Sequence, residues 1–222
     1  MKRLALLGLW AAATVAACSD PATPDRECVG CYYSFADTFP PDTFIFHWPA
    51  SRLPVRFWAD PRGAMPYFVR NAIAVWQSEL LYGEFGGTMV TDSSQADVIA
   101  VWDAAPIDSA APDTGATLAC SGDTHSAGSP EGTIAFDSTK TIVGPMVIAV
   151  FRKAGYTSGQ LFVCGRRLAI HEMGHALGIL RHSPYPDDIM APTPTVDLPS
   201  AEDHRTIEVL YHTHPTLAPP PR

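Results

Sequence analysis

The sequence predicts an α+β domain whose strands come early and whose chemistry lies on a late helix. Three observations carry this. Residues 53–58 (Leu53, Pro54, Val55, Arg56, Phe57, Trp58) alternate, as a first strand does, and residues 96–102 are a near-continuous apolar run suited to a central strand. Between them, residues 66–81 place Phe68, Ile73, Val75, Trp76, Leu80 and Leu81 on one face of a long helix. A second helical run begins near Ser158 and carries His171, Glu172, Met173, Gly174 and His175 in succession.

The remaining elements follow in order. Residues 88–90 read as a short strand after Gly86 and Gly87. Residues 116–120 and 132–137 read as two more strands, with a polar loop over 121–131 that holds Asp123 and His125. A lone Asp-x-His without further histidines reads as a solvated loop rather than a structural metal site. Residues 146–151 form another apolar run. Ser200 followed by Asp203 has the form of a capping box, and Ile207, Val209, Leu210 and Tyr211 give the closing helix its apolar face. His204, His212 and His214 read as surface residues, and residues 213–222, rich in proline, as a disordered tail.

The 222 residues are 46% hydrophobic, enough for one domain with a real core, and 21 prolines with 16 glycines call for many loops. Met1, Lys2 and Arg3 precede an apolar stretch, residues 4–17, that is too short for a lasting membrane span. Residues 1–17 therefore read as a secretory signal. Val15, Ala16, Ala17 and Cys18 resemble a bacterial lipobox, in which the cysteine is lipidated and becomes the mature N-terminus; an ordinary signal cleaved near Ala17 is the alternative. A lipid on Cys18 would be the chain's membrane contact and would place it in the cell envelope, at the outer membrane, unless it is secreted free. Residues 18–50 then form a tether and a strap across the surface, and 51–212 the folded domain.

The mature chain has 13 basic against 23 acidic residues, and this acidic balance argues against nucleic acid as a partner. Nothing calls for more than a monomer. Cys28, Cys31, Cys120 and Cys164 are an even set in an exported chain and suggest disulfides, with Cys28–Cys31 and Cys120–Cys164 preferred among three connectivities.

The chemistry concentrates in residues 171–192. Two histidines four apart on a helix lie one turn apart on the same face and can share one metal ion. Glu172 stands beside that position, where it can take a proton from a water. Ile170, Met173 and Leu177 form the stripe that faces the core, and Gly178 comes where a helix stop is expected. The chain can then turn back and bring in His182. Three protein ligands leave a fourth position for water, as catalytic zinc sites do. Asp188, Ile189, Met190, Ala191 and Pro192 read as a tight turn with a buried methionine.

In these residues the chain resembles the metzincins, and among them the matrixins, whose pattern is H-E-x-x-H-x-x-G-x-x-H followed by a Met-turn. His171, Glu172, His175, Gly178 and Ser183 match. The family's third histidine falls where this chain has Arg181, so His182 sits one residue late; arginine stays protonated and cannot ligate zinc. The resemblance implies a metzincin (zincin-like) fold: a twisted, mainly parallel sheet with an antiparallel edge strand, an active-site helix, the Met-turn and a C-terminal helix. It implies a zinc-dependent metalloendopeptidase acting on peptides or proteins, with one catalytic Zn2+ on His171, His175 and His182, Glu172 as general base, and Met190 as the apolar floor under the metal. It places the cleft's edge strand at 116–120. A calcium site is not evident in the sequence. Tyr185 is a candidate for the specificity pocket, and Cys28 for a pro-segment ligand, although its surroundings lack the family's motif.

Two rivals stand beside this reading. One is a non-catalytic zinc-binding or adhesion lipoprotein on the same fold; the extra residue before His182 favours it and the intact Glu172 opposes it. The other takes Asp187 as third ligand in place of His182.

Overall fold

The computed structural model describes residues 32–104, 120–152 and 157–222. The expected signal, Cys18, the Cys28–Cys31 pair and the strand expected at 116–119 lie outside them.

Seven strands and three helices are described. The segment before the first sheet strand carries a small hairpin, β1 (Asp37–Phe39) and β2 (Asp42–Phe44). Then come β3 (Val55–Ala59), α1 (Met65–Glu79), β4 (Gly87–Met89), β5 (Val98–Ala104), β6 (Cys120–Ser126), β7 (Met146–Arg152), α2 (Ser158–Leu177) and α3 (Ala201–Tyr211). The main sheet has the order β4-β3-β5-β7-β6. Its pairs are parallel except β6 with β7, which makes β6 an antiparallel edge strand. The expected α+β architecture is the one observed.

Physical reasons for the elements are local. β5 and β7 are central, and their apolar runs leave Val98, Ala100, Met146, Ile148 and Val150 buried. Helix α1 starts with a proline in its first turn and buries Met65, Phe68, Val69, Ala72, Ile73, Val75 and Trp76. It stops at Glu79, so Leu81, expected on its apolar face, is exposed instead. Helix α2 opens on a capping box between Thr157 and Gln160, and packs against α1, β6 and β7. Helix α3 has the expected box between Ser200 and Asp203.

Three regions differ from their sequence reading. First, residues 32–48 are no surface strap. Phe46 and Trp48 are fully buried, Tyr33, Phe35 and Phe44 nearly so, and all belong to the main core. Phe44, Phe46 and Trp48 alternate with the half-buried Ile45 and His47, and each brings a large apolar area that burial rewards. Second, the polar stretch 120–126 forms strand β6, whereas 132–137 holds only the isolated bridge from Phe136 to Ile142. Seven-residue pairing with β7 decides the first case against its polarity. Third, residues 213–222 are held rather than loose. Leu217 is buried, Ile142 N donates to Ala218 O, and Arg222 pairs with Asp97. One apolar anchor and one buried carboxylate are enough to fix a short tail.

That carboxylate is the centre of a clasp. Asp97 accepts from Arg52, Arg56 and Arg222 at 2.9–3.3 Å, and from the backbone N–H of Arg56. Cys164, on α2, is buried and disulfide-bonded. The side chain of Cys120 falls outside the described residues.

Candidate metal centre

Helix α2 delivers the first two histidines. His171 is buried and His175 half-buried one turn on, with ring centroids 4.8 Å apart. The helix ends at Leu177. Gly178 follows in the left-handed region with φ 115°, and its N–H returns to the helix carbonyls while Ile179 N bonds Gly174 O. No other residue fits here: a Cβ on Gly178 would lie 1.8 Å from the carbonyl oxygen of Phe46.

After that turn the extra residue is absorbed without disturbing the site. Leu180 N donates to Phe35 O at 2.8 Å, and Arg181 points outward to Asp37 at 2.6 Å. His182 then swings back over the helix. Its Nε2 lies 3.3 Å from Nε2 of His175, which is itself 3.2 Å from Nε2 of His171.

The protonation of two rings is fixed by carbonyl acceptors. His171 Nδ1 donates to Ile189 O at 2.7 Å, and His175 Nδ1 to Ile179 O at 2.6 Å. A carbonyl only accepts, so each Nδ1 carries the proton and each Nε2 presents a lone pair. Burial and the neighbouring imidazoles favour the neutral rings. His171 is held well below the usual histidine range, chiefly by burial, and His175 is lowered to about 4 by burial and His182. Burial lowers His182 as well. The three residues form the group among the described residues able to hold a metal ion, with ligand atoms within 4.8 Å of one another. Two nitrogens ~2.1 Å from a tetrahedral zinc lie about 3.4 Å apart, so the two separations that involve His175, 3.2 and 3.3 Å, fit such an ion, and the His171–His182 pair lies within 4.8 Å. Asp187, the rival ligand, is exposed and outside the group.

Met190 is fully buried under the helix. A Cβ on Gly174 would meet its sulfur at 2.4 Å and Trp76 at 2.9 Å, which explains a glycine between the two histidines. The turn bearing Met190 is pinned from α3. Asp203 accepts from the N–H groups of Ile189 and Met190, and from the Tyr33 hydroxyl at 2.6 Å. Asp188 beneath it accepts from Ser183 and Ser200. Ile189 thus offers its carbonyl to His171 from a turn whose N–H groups are held.

Glu172 lies against the edge strand. Its Oε2 accepts from Thr124 Oγ1 at 2.8 Å, and the same hydroxyl reaches the Glu172 carbonyl at 3.0 Å. A Cβ on Gly122 would lie 2.3 Å from Oε1, so β6 can pass this closely only with glycine there. Burial pushes the carboxyl up to about 8, against the pull of the Thr124 hydrogen bond. Thr124 and Gly122 escaped the sequence reading because they fall in the stretch taken for a loop. The Asp123–His125 pair in that stretch forms a 2.6 Å contact on β6 itself, partly buried rather than solvated. Tyr185 is exposed near the turn.

The matrixin family model matches residues 59–212, more than half of the chain and the whole of the site. The chain belongs to the matrixin family. A search of curated proteins returns no match. For a matrixin, a peptidase family, zinc is the implied metal and peptides or proteins the implied substrates, and the histidine triad is a group that can bind that metal. The mixed sheet with its antiparallel edge agrees with the family's fold. This matrixin departs from the family spacing at one residue, Arg181, which leaves the triad together.

Proposed function

We propose that this protein is a zinc-dependent endopeptidase in which His171, His175 and His182 hold the metal and Glu172 is the general base. The observation that carries the reading is the convergence of three imidazoles, two of them on a helix that also carries the buried carboxylate of Glu172. Zinc, when bound, supplies Lewis-acid chemistry that activates a water and polarises the scissile carbonyl. The protein's own residues do the rest. Thr124 fixes the Glu172 carboxylate through Oε2, and Oε1 takes the proton from the attacking water and later gives it to the leaving amine. The carbonyls of Ile189 and Ile179 orient two of the imidazoles. Among the described residues β6 pairs in the sheet with β7 alone, and its outer edge before Ser126 offers N–H and C=O groups to which an extended substrate can add.

The non-catalytic alternative leaned on the extra residue before His182, and that residue does not disperse the triad. Metal analysis and a peptide-library cleavage assay on residues 19–222 test the proposal. About one zinc per chain is expected, with endopeptidase cleavage that a chelator abolishes and zinc restores. Zinc binding without cleavage would favour the non-catalytic reading.

We further propose that the protein is exported as a lipoprotein anchored through Cys18, with a Cys120–Cys164 disulfide. The lipobox-like residues and the disulfide-bonded state of Cys164 support this. Among the described residues no helix is long and apolar enough to cross a membrane. Mass spectrometry of the mature N-terminus is expected to show lipid on Cys18; a free terminus at or beyond Ser19 rules it out.

A further inference from the structure

Arg181, the residue that breaks the family spacing, has a partner of its own. Its guanidinium lies 2.6 Å from Asp37 on β1, in the aromatic N-terminal segment. Two backbone contacts accompany it. Leu180 N donates to Phe35 O, and Gly178 packs against the Phe46 carbonyl. The loop between Gly178 and His182 is therefore held from one side, along its length, by residues 35–46. His182 follows Arg181 directly and is the most exposed member of the triad. It lies beyond the end of α2, so the helix does not set its position as it sets those of His171 and His175.

We propose that Arg181 and Asp37 form a latch that positions His182, so that the N-terminal hairpin is part of the metal-binding unit. Both are positioning residues: neither faces the triad, and each acts through the loop that carries the third imidazole. The inserted residue thus offsets its own disturbance, because the side chain that lengthens the loop also ties it down. Both partners are partly exposed, at 49% and 30% of their side chains, so salt screens the pair and its effect is modest.

The latch rests on the reading of His182 as third ligand, and the experiment separates the two. Zinc dissociation constants would be measured by chelator competition for the full mature chain and for Asp37→Ala, Arg181→Ala, the charge-swapped pair Asp37→Arg with Arg181→Asp, and His182→Ala. Loss of a true ligand in His182→Ala is expected to weaken zinc by more than about a hundredfold. Each single latch variant is expected to weaken it about two- to fivefold at low salt, with the difference fading at high salt. The swapped pair is expected to return to within about twofold of the parent. Melting temperatures of the metal-free proteins should stay close to the parent, which a general loss of folding would not allow. An unchanged constant in Asp37→Ala, or a swap that fails to restore affinity, overturns the latch while leaving His182 as a ligand. An unchanged constant in His182→Ala overturns the ligand assignment itself, and the latch with it.

Discussion

Glu172 and Asp97 are carboxylates buried to the same degree, 3% exposed each, yet they sit at opposite ends of the acidity scale. Burial pushes both up. At Glu172 a single hydroxyl from Thr124 opposes it, and the group ends at about 8. At Asp97 hydrogen bonds from Arg222, Arg56 and Arg52 outweigh it, and the carboxyl ends well below the usual range. The difference teaches what each is for. A buried carboxylate surrounded by cations has nothing left to give and serves as a fastening. One that is dry and lightly bonded keeps a basic oxygen, which suits the role proposed for Glu172, at a cost in stability.

The sharpest way to break the comparison is to remove the proposed base. Glu172→Gln keeps the shape of the side chain but cannot take a proton. Peptide hydrolysis is expected to fall about 10²–10⁴-fold in kcat/KM while zinc content, read by elemental analysis, stays at the parent level. Cleavage at the parent rate would sink the assignment.

Removing the fastening should act on folding instead. Asp97→Asn leaves three arginines facing a neutral amide. Urea unfolding is expected to show a loss of about 2–3 kcal/mol, less than a fully buried pair would give, because the arginines reach water. The metal-site geometry should survive.

The acid side of the stability curve sharpens the same point. Asp97 has a folded-state pKa below its unfolded one, near ~3.9. Its stabilisation is therefore present above about pH 4 and is lost as pH falls from there through the folded value. Between about pH 4 and pH 2 the stability of Asp97→Asn should decline less steeply than that of the parent.

The smallest effect belongs to the hydroxyl that tempers Glu172. Thr124→Val preserves the packing and deletes the hydrogen bond. It is expected to lower kcat/KM roughly three- to tenfold with little change in unfolding midpoint. An unchanged rate would mean that the carboxylate needs no orienting group.

Much of the site was legible before the structure because its signal is local. His171, Glu172, His175 and Gly178 lie within eight residues whose geometry a helix and its stop dictate. His182 follows from the exclusion of Arg181 by charge. What could not be read depends on distant partners. Nothing in residues 120–126 alternates by polarity, and β6 exists because β7 pairs with it along seven residues. Thr124 and Gly122 gained their roles only through that pairing. In the aromatic segment the alternation is confined to residues 44–48 beside a run of prolines, and the tail has no periodic pattern because single groups, Leu217 and Arg222, hold it. Asp203 was legible as part of a cap, but not as the acceptor for Ile189 and Met190 across the Met-turn.

Two indoles bracket the part of α2 that carries His171 and His175. Trp48 Nε1 donates to Ala176 O in the last turn of α2, and Trp76 Nε1 donates to Ile170 O one residue before the first histidine. Both rings are shielded from water. With Trp58→Phe and Trp102→Phe removing the other indoles of the described residues, the blue-shifted emission of these two would report whether α2 is docked, and a bound cobalt ion, which absorbs in the visible, would report the neighbouring triad in the same cuvette.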